Sequence, residues 1–436
     1  MGNRLDIKEF ETIVHNKDFE NTNGYKCIGK EEFDNLIAFI HEFTSDEKNA
    51  DALDFMRIGY KRNIGDIITI KNYVGLIQLK NGFQIQVLPK ISFSSGEDIN
   101  SEETKKIFLK MLRSMKDFQG KAFHMASLRV DKMNLYELFI NMYLQDVRVL
   151  VKHGLKSAYV SVENNLPCFK GKLQVSQHIR NNLAHKERFY VAYDEFSLNR
   201  AENRIIKATL MKLQKLTASA ENAKEIRQLL MAFELVEPSI NYEKDFSKVV
   251  INRNTKDYEI LMKWSKVFLM NKSFTMFSGK TASRALLFPM ESVFESYVAQ
   301  QMKEKFCPDG WEISTQDERY CLFKTPEPKF KLKPDIVMKK DSRTVILDTK
   351  WKRLNNNSRA NYGISQADMY QMYAYSKKYE TEEIWLLYPI NDEVRECKNI
   401  CFDAEEAALN TKVRVFFLDI SEIENSLETL KEELKK

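Results

Sequence analysis

At 436 residues the chain is long enough for two or three domains, and its 43% hydrophobic content is that of a globular protein that buries a core. Charged residues reach 30% yet nearly cancel, leaving a net charge of +5, which excludes a strongly basic or acidic chain but permits local basic faces. No apolar run approaches a membrane span, the first residues carry early acids instead of a signal peptide's apolar core, and six scattered cysteines fit reduced thiols, so a cytoplasmic protein free of the membrane is expected.

Residues 1–60 are polar and mixed, with helical apolar spacing over 30–43. Residues 63–91 alternate apolar and polar positions, and Asn81-Gly82 is a hairpin signal, so a small antiparallel sheet or barrel is predicted, closed by Pro89. A polar loop is expected over 94–100, an amphipathic helix over 102–116 and a longer apolar helix over 135–151. Residues 155–195 read as β-rich, interrupted by HIRNNLAHKERF. That stretch carries His178 and His185 with Arg180, Lys186 and Arg188. A seven-residue separation of histidines on a loop fixes no metal geometry, so it reads as a solvated loop or a basic contact surface. Helices follow over 199–216, 222–233 and 256–270.

The chemistry lies in the last third. An amphipathic helix over 290–306 follows Pro289 and carries Glu291 and Glu295 four residues apart, a solvated pair by default. Strands are expected near 311–314 and 319–323. Residues 333–353, KPDIVMKKDSRTVILDTKWKR, then hold two β-branched apolar runs around a polar turn. With Asp341 and Ser342 at the tip, Asp335 and Asp348 face each other across an antiparallel hairpin, close enough for both carboxylates to reach one hard cation. Lys350 shares the face of Asp348 by period-two alternation. Surface hairpins often carry such residues by chance, but these acids end a strongly apolar strand, where an unpartnered carboxylate is costly. A helix over 365–379 follows, capped by Ser365 with Asp368 three residues on, and Gln371 and Tyr375 stack at i, i+4. Residues 383–389 and 413–420 read as buried strands. The fold class is therefore α+β: an N-terminal antiparallel β-rich domain with helices over 1–195, a helical connector over 196–275, and a C-terminal α/β domain with a mixed sheet over 276–436.

Pro334-Asp335, Asp348-x-Lys350 and Gln371-x-x-x-Tyr375 together resemble the PD-(D/E)xK nuclease superfamily, with Glu295 at its extra acidic position. Five stretches in order (74–91, 193–207, 286–298, 333–352 and 367–375) are similar to the McrC family, the nuclease subunits of McrBC-type modification-dependent restriction systems. The resemblance runs over most of the chain from about residue 60. It implies a Mg²⁺-dependent DNA endonuclease. Asp335, Asp348 and Glu295 would ligate the metal with a carbonyl near Thr349, Lys350 would serve the attacking water, and Gln371 would orient the lysine or contact DNA. Lys352, Arg353 and Arg359 would hold phosphates, unless they form an ordinary solvated loop. It also implies a partner, a McrB-like AAA+ GTPase that recognises modified double-stranded DNA, binds the GTP itself and receives the N-terminal domain. No G-x-x-x-x-G-K-[ST] occurs, as befits a subunit that borrows its motor. Two other readings stay open: a non-catalytic activator of the motor with a vestigial site, and a stand-alone nuclease.

Overall fold

The computed structural model describes residues 4–19, 22, 24–44, 56–79, 81–91, 101–115, 135–270, 284–397, 400–405 and 410–435. The polar loop expected over 94–100 lies outside the described residues, as does the last residue of the helix expected over 102–116. The fold is mixed α+β. Its contacts divide the chain into two compact units, one of residues 1–119 with 274–436 and one of residues 120–273.

This grouping differs from the three-segment division, and strand pairing explains why. Asn81-Gly82 does close a hairpin, in which Tyr73–Gln78 pairs antiparallel with Gln84–Leu88. Arg4–Lys8 joins it on one side, in parallel. On the other side lies Arg284–Pro289, some two hundred residues downstream in sequence, whose pairing draws the C-terminal part into the same unit. Gly75 makes that pairing possible. Its φ is +144°, and a Cβ there would lie 1.9 Å from the Leu286 carbonyl oxygen. Backbone cannot yield to such a clash, so Gly75→Ala is expected to cost about 3 kcal/mol or more. Chemical denaturation measures it, and an unchanged midpoint would contradict the account.

A second four-stranded sheet, in the order Tyr25–Cys27, Thr12–Val14, Gly65–Ile70 and Met56–Lys61, shares a core with helix Lys30–Thr44, where Phe33, Leu36 and Ile40 are buried. The largest sheet has six strands, in the order Glu312–Thr315, Ile336–Lys340, Arg343–Thr349, Glu383–Pro389, Lys412–Leu418 and Cys401–Asp403. Its first two pairings and its last are antiparallel, and the two between are parallel. Alternate residues Val337, Ile346, Ile384 and Leu386 share a buried cluster with Met372, Tyr375 and Tyr379 of helix Gln366–Tyr379. Helices Met290–Phe306 and Ile423–Glu433 pack against other parts of the sheet. Strands covered in this way read as continuous apolar runs. Residues 319–323 do not extend this sheet. Cys321–Phe323 instead pairs with Lys329–Lys331 in a separate two-stranded hairpin.

In the unit of residues 120–273, Phe189–Ser197 lies between Ala158–Leu166 and Lys172–Leu173 in an antiparallel sheet. Helices Leu135–His153, Ala201–Leu216, Ala220–Ala232 and Glu259–Met270 form its helical part, so the expected connector is packed with the preceding helix and sheet. The histidine stretch, expected as a loop, begins as helix Val175–Asn182. Buried Asn182 holds it, exchanging hydrogen bonds with Asn165 and donating to the Arg188 carbonyl. His178 stacks on Phe189 and His185 meets Glu187, so the two imidazoles are engaged separately.

Candidate active site

The hairpin of residues 336–349 sets the site. Asp341 and Ser342 form its turn, with Asp341 at φ 52°, and the register runs from Lys340↔Arg343 to Ile336↔Leu347. Asp335 and Asp348 are the next pair outward, where the ladder ends. Period-two alternation puts both on the face of Val337 and Ile346, toward helix Gln366–Tyr379.

Each acid is held. Asp335 Oδ2 accepts from the Thr349 backbone N–H at 2.8 Å and from its hydroxyl at 2.7 Å. Asp348 is 1% exposed, and its Oδ2 lies 2.5 Å from Lys350 Nζ. Lys350 donates to Gln371 Oε1 at 3.3 Å, and Gln371 Nε2 donates to the Tyr375 hydroxyl at 2.7 Å. Ser365 caps that helix by accepting from the Asp368 N–H. Glu295 reaches the region from helix Met290–Phe306, its Oε1 taken by the Gln316 side chain, while Gln316 N–H donates to the Asp335 carbonyl at 3.0 Å.

The charges are unbalanced. Burial, reinforced by Asp335 and opposed by Lys350, pushes the Asp348 carboxyl up to about 7. Burial and then Asp335 push Glu295 up to about 7 as well. Burial also raises Asp335, against the two Thr349 bonds. Burial favours a neutral Lys350, but Asp348, Asp335 and Asp368 outweigh it and hold the amine more firmly protonated. Buried Asp348 and half-buried Asp335, with Glu295 nearby, thus share one inner lysine.

Among the described residues no three His, Cys, Asp or Glu side chains form a ready metal cage. That does not count against a magnesium site, because Mg²⁺ is commonly held by one or two carboxylates with water and substrate phosphate. Asp335 and Asp348 are hard oxygen donors on adjacent strands with excess negative charge, and they fit. Glu295 gives one carboxylate oxygen, Oε1, to the Gln316 side chain.

Of the three basic candidates, Lys352 is committed to Asp368 at 3.0 Å, whereas Arg353 and Arg359 are exposed. Sequence reasoning missed Gln316, the Thr349 hydroxyl, and the pair behind the site, Glu9 and Trp351. Fully buried Glu9 accepts from Trp351 Nε1 at 3.2 Å and from the Lys90 backbone N–H at 3.3 Å. The Trp351 ring lies against Phe294, the neighbour of Glu295, with centroids 5.3 Å apart. The only hint in the sequence is that Trp351 directly follows Lys350.

No curated protein matches the chain. Among solved structures, a chain of a refined half-complex from a tetradecameric assembly of Thermococcus gammatolerans McrB AAA+ hexamers with bound McrC is similar at 20% identity. The TM-score is 0.65, with 98% of this chain and all of that one covered, which shows a shared fold. A chain of the Thermococcus gammatolerans McrBC complex, solved by cryo-electron microscopy, matches at 21% identity and TM-score 0.46 over 69% of this chain and 87% of that one. No helix among the described residues is long and apolar enough to cross a membrane. Residues 68–389 match the family described as McrBC 5-methylcytosine restriction system component, and the chain belongs to that family.

Proposed function

We propose that the chain is the McrC-like nuclease subunit of its system, a Mg²⁺-dependent endonuclease with a PD-(D/E)xK centre that cuts modified duplex DNA with a McrB-like AAA+ GTPase. The observation that carries this reading is the meeting of Asp335, Asp348, Lys350 and Gln371 at the end of one hairpin. Asp335 and Asp348 would hold the cation, with Glu295 as an outer acid. A divalent cation bound there supplies a water of lowered pKa and polarises the scissile phosphate. The protonated Lys350 amine offsets negative charge growing on the phosphate, and Gln371 keeps that amine in place. Thr349 orients Asp335 through two hydrogen bonds, so the acid enters the reaction already positioned. Arg353 and Arg359 are available for flanking phosphates.

The partner follows from the family and from the similar chain's assembly, described as McrB hexamers with bound McrC. The test is cleavage of 5-methylcytosine-containing plasmid by the purified chain with its GTPase. Cleavage should need GTP and Mg²⁺ and stop on chelation. Cleavage that survives chelation would overturn the metal reading, and cleavage without GTPase or nucleotide would make the chain a stand-alone nuclease.

A further inference from the structure

A second feature lies beside the candidate centre. The short hairpin of Cys321–Phe323 and Lys329–Lys331 stands between strand Glu312–Thr315 and the start of Ile336–Lys340. Its inner side is anchored: Leu332 is buried, Leu322 packs on the core of the six-stranded sheet, and Leu332 N–H donates to the Tyr320 carbonyl at 2.9 Å. Its outer side is of the opposite character. Phe323 is 56% exposed and Phe330 70%, and their rings meet edge to face with centroids 6.0 Å apart. Phe330 also sits at φ 57°, a left-handed backbone that a bulky residue adopts only where the surroundings impose it. Residues 320–333 contain four lysines, Lys324, Lys329, Lys331 and Lys333, against the single acid Glu327. The ion pairs of Lys329, Lys331 and Lys333 with Glu327 and Glu318 are exposed, and such pairs are readily exchanged for a stronger anion.

The two phenylalanines thus meet each other among lysines while each ring stays mostly exposed. Exposed rings interleaved with cations suit nucleic acid, where lysines follow phosphates and rings stack on bases or sugars. Position adds to this. Asp335 is the fourth residue after Lys331, so a chain at full extension places them at most about 14 Å apart, a few nucleotides of strand.

We propose that this hairpin is a DNA-gripping arm, its lysines holding the backbone beside the scissile phosphate and its paired phenylalanines contacting an adjacent base or sugar. The inference rests on the nuclease reading above and adds residues to it.

The test uses the full chain with Ca²⁺ in place of Mg²⁺ and a fluorescein-labelled duplex containing 5-methylcytosine, followed by anisotropy across a salt series. Lys324→Ala with Lys329→Ala should weaken binding about tenfold and flatten the log Kd against log salt slope by about 2, one unit per lost phosphate contact. Phe323→Ala with Phe330→Ala should weaken it about tenfold with little change in that slope. Phe330→Asn, which tolerates left-handed backbone, gives a second aromatic variant if the double one folds poorly. Wild-type binding with unchanged variants overturns the arm and leaves the nuclease reading standing. A wild-type chain that binds no duplex, alone or with its GTPase, overturns both. Variants that bind DNA normally but no longer stimulate GTP hydrolysis overturn the arm by making it a protein-docking element.

Discussion

Asp348→Asn and Lys350→Ala should each lower DNA cleavage by about a thousandfold or more while leaving stimulation of the partner's GTP hydrolysis within about twofold of wild type. Asn is nearly isosteric with Asp, so the 1%-exposed site keeps its packing while it loses a charged donor. Lys350→Ala removes the one inner cation that Asp348, Asp335 and Gln371 face. Gln371→Ala should act more mildly, because it frees the amine without removing it. Gel assays of plasmid cleavage beside phosphate release by the GTPase measure both arms. Undiminished cleavage in both variants would end the nuclease assignment. Loss of cleavage and GTPase stimulation together would mean that the substitutions damage docking, not chemistry.

Glu9→Gln should make the protein less sensitive to alkaline pH, by an amount on the order of 4 kcal/mol. Burial pushes the Glu9 carboxyl up to about 8, against opposing hydrogen bonds from the Lys90 N–H and Trp351. The folded value thus lies above that of the unfolded chain. Its contribution is fully present below about pH 4.5 and declines as pH rises through about 8, at about 1.4 kcal/mol for each unit of separation. Gln keeps an acceptor for the two N–H donors and never ionises. Thermal denaturation at pH 5 and pH 8.5 should show the variant gaining on wild type by several degrees between the two conditions. Parallel curves would contradict the account. The same residue bears on the site, since Trp351 directly follows Lys350 and its ring leans on Phe294.

The parts of this fold that could be read from residues are those written locally. The hairpin was legible because two β-branched runs flank a polar dipeptide, and a two-residue turn fixes the register out to Ile336↔Leu347. The cap at Ser365 and the strands Glu383–Pro389 and Lys412–Leu418 were legible for the same reason. Long-range pairing was not. Nothing near Arg284–Pro289 announces that it joins Tyr73–Gln78, and only Gly75, whose Cβ would strike Leu286, marks the contact. A strand near 319–323 was legible, but three-residue strands such as Cys321–Phe323 and Lys329–Lys331 are too short to show which strand pairs with which. Helix Val175–Asn182 was hidden because its stability comes from Asn182 and its partners, not from an apolar stripe. At the site, the acids and lysine were visible as a spaced motif, whereas Lys352 looked free until Asp368 was seen beside it. Glu9 lies more than three hundred residues from Trp351, and a lone acid in a polar stretch gives no sign of burial.

Binding of Mn²⁺ as a spectroscopic stand-in for Mg²⁺, followed by electron paramagnetic resonance on the full chain with an uncleavable methylated duplex, tests the central claim most directly. Wild type should hold the ion, and Asp335→Asn and Asp348→Asn should each release it without loss of DNA binding. Equal Mn²⁺ binding by wild type and both variants would contradict the convergence of these two carboxylates on a catalytic cation.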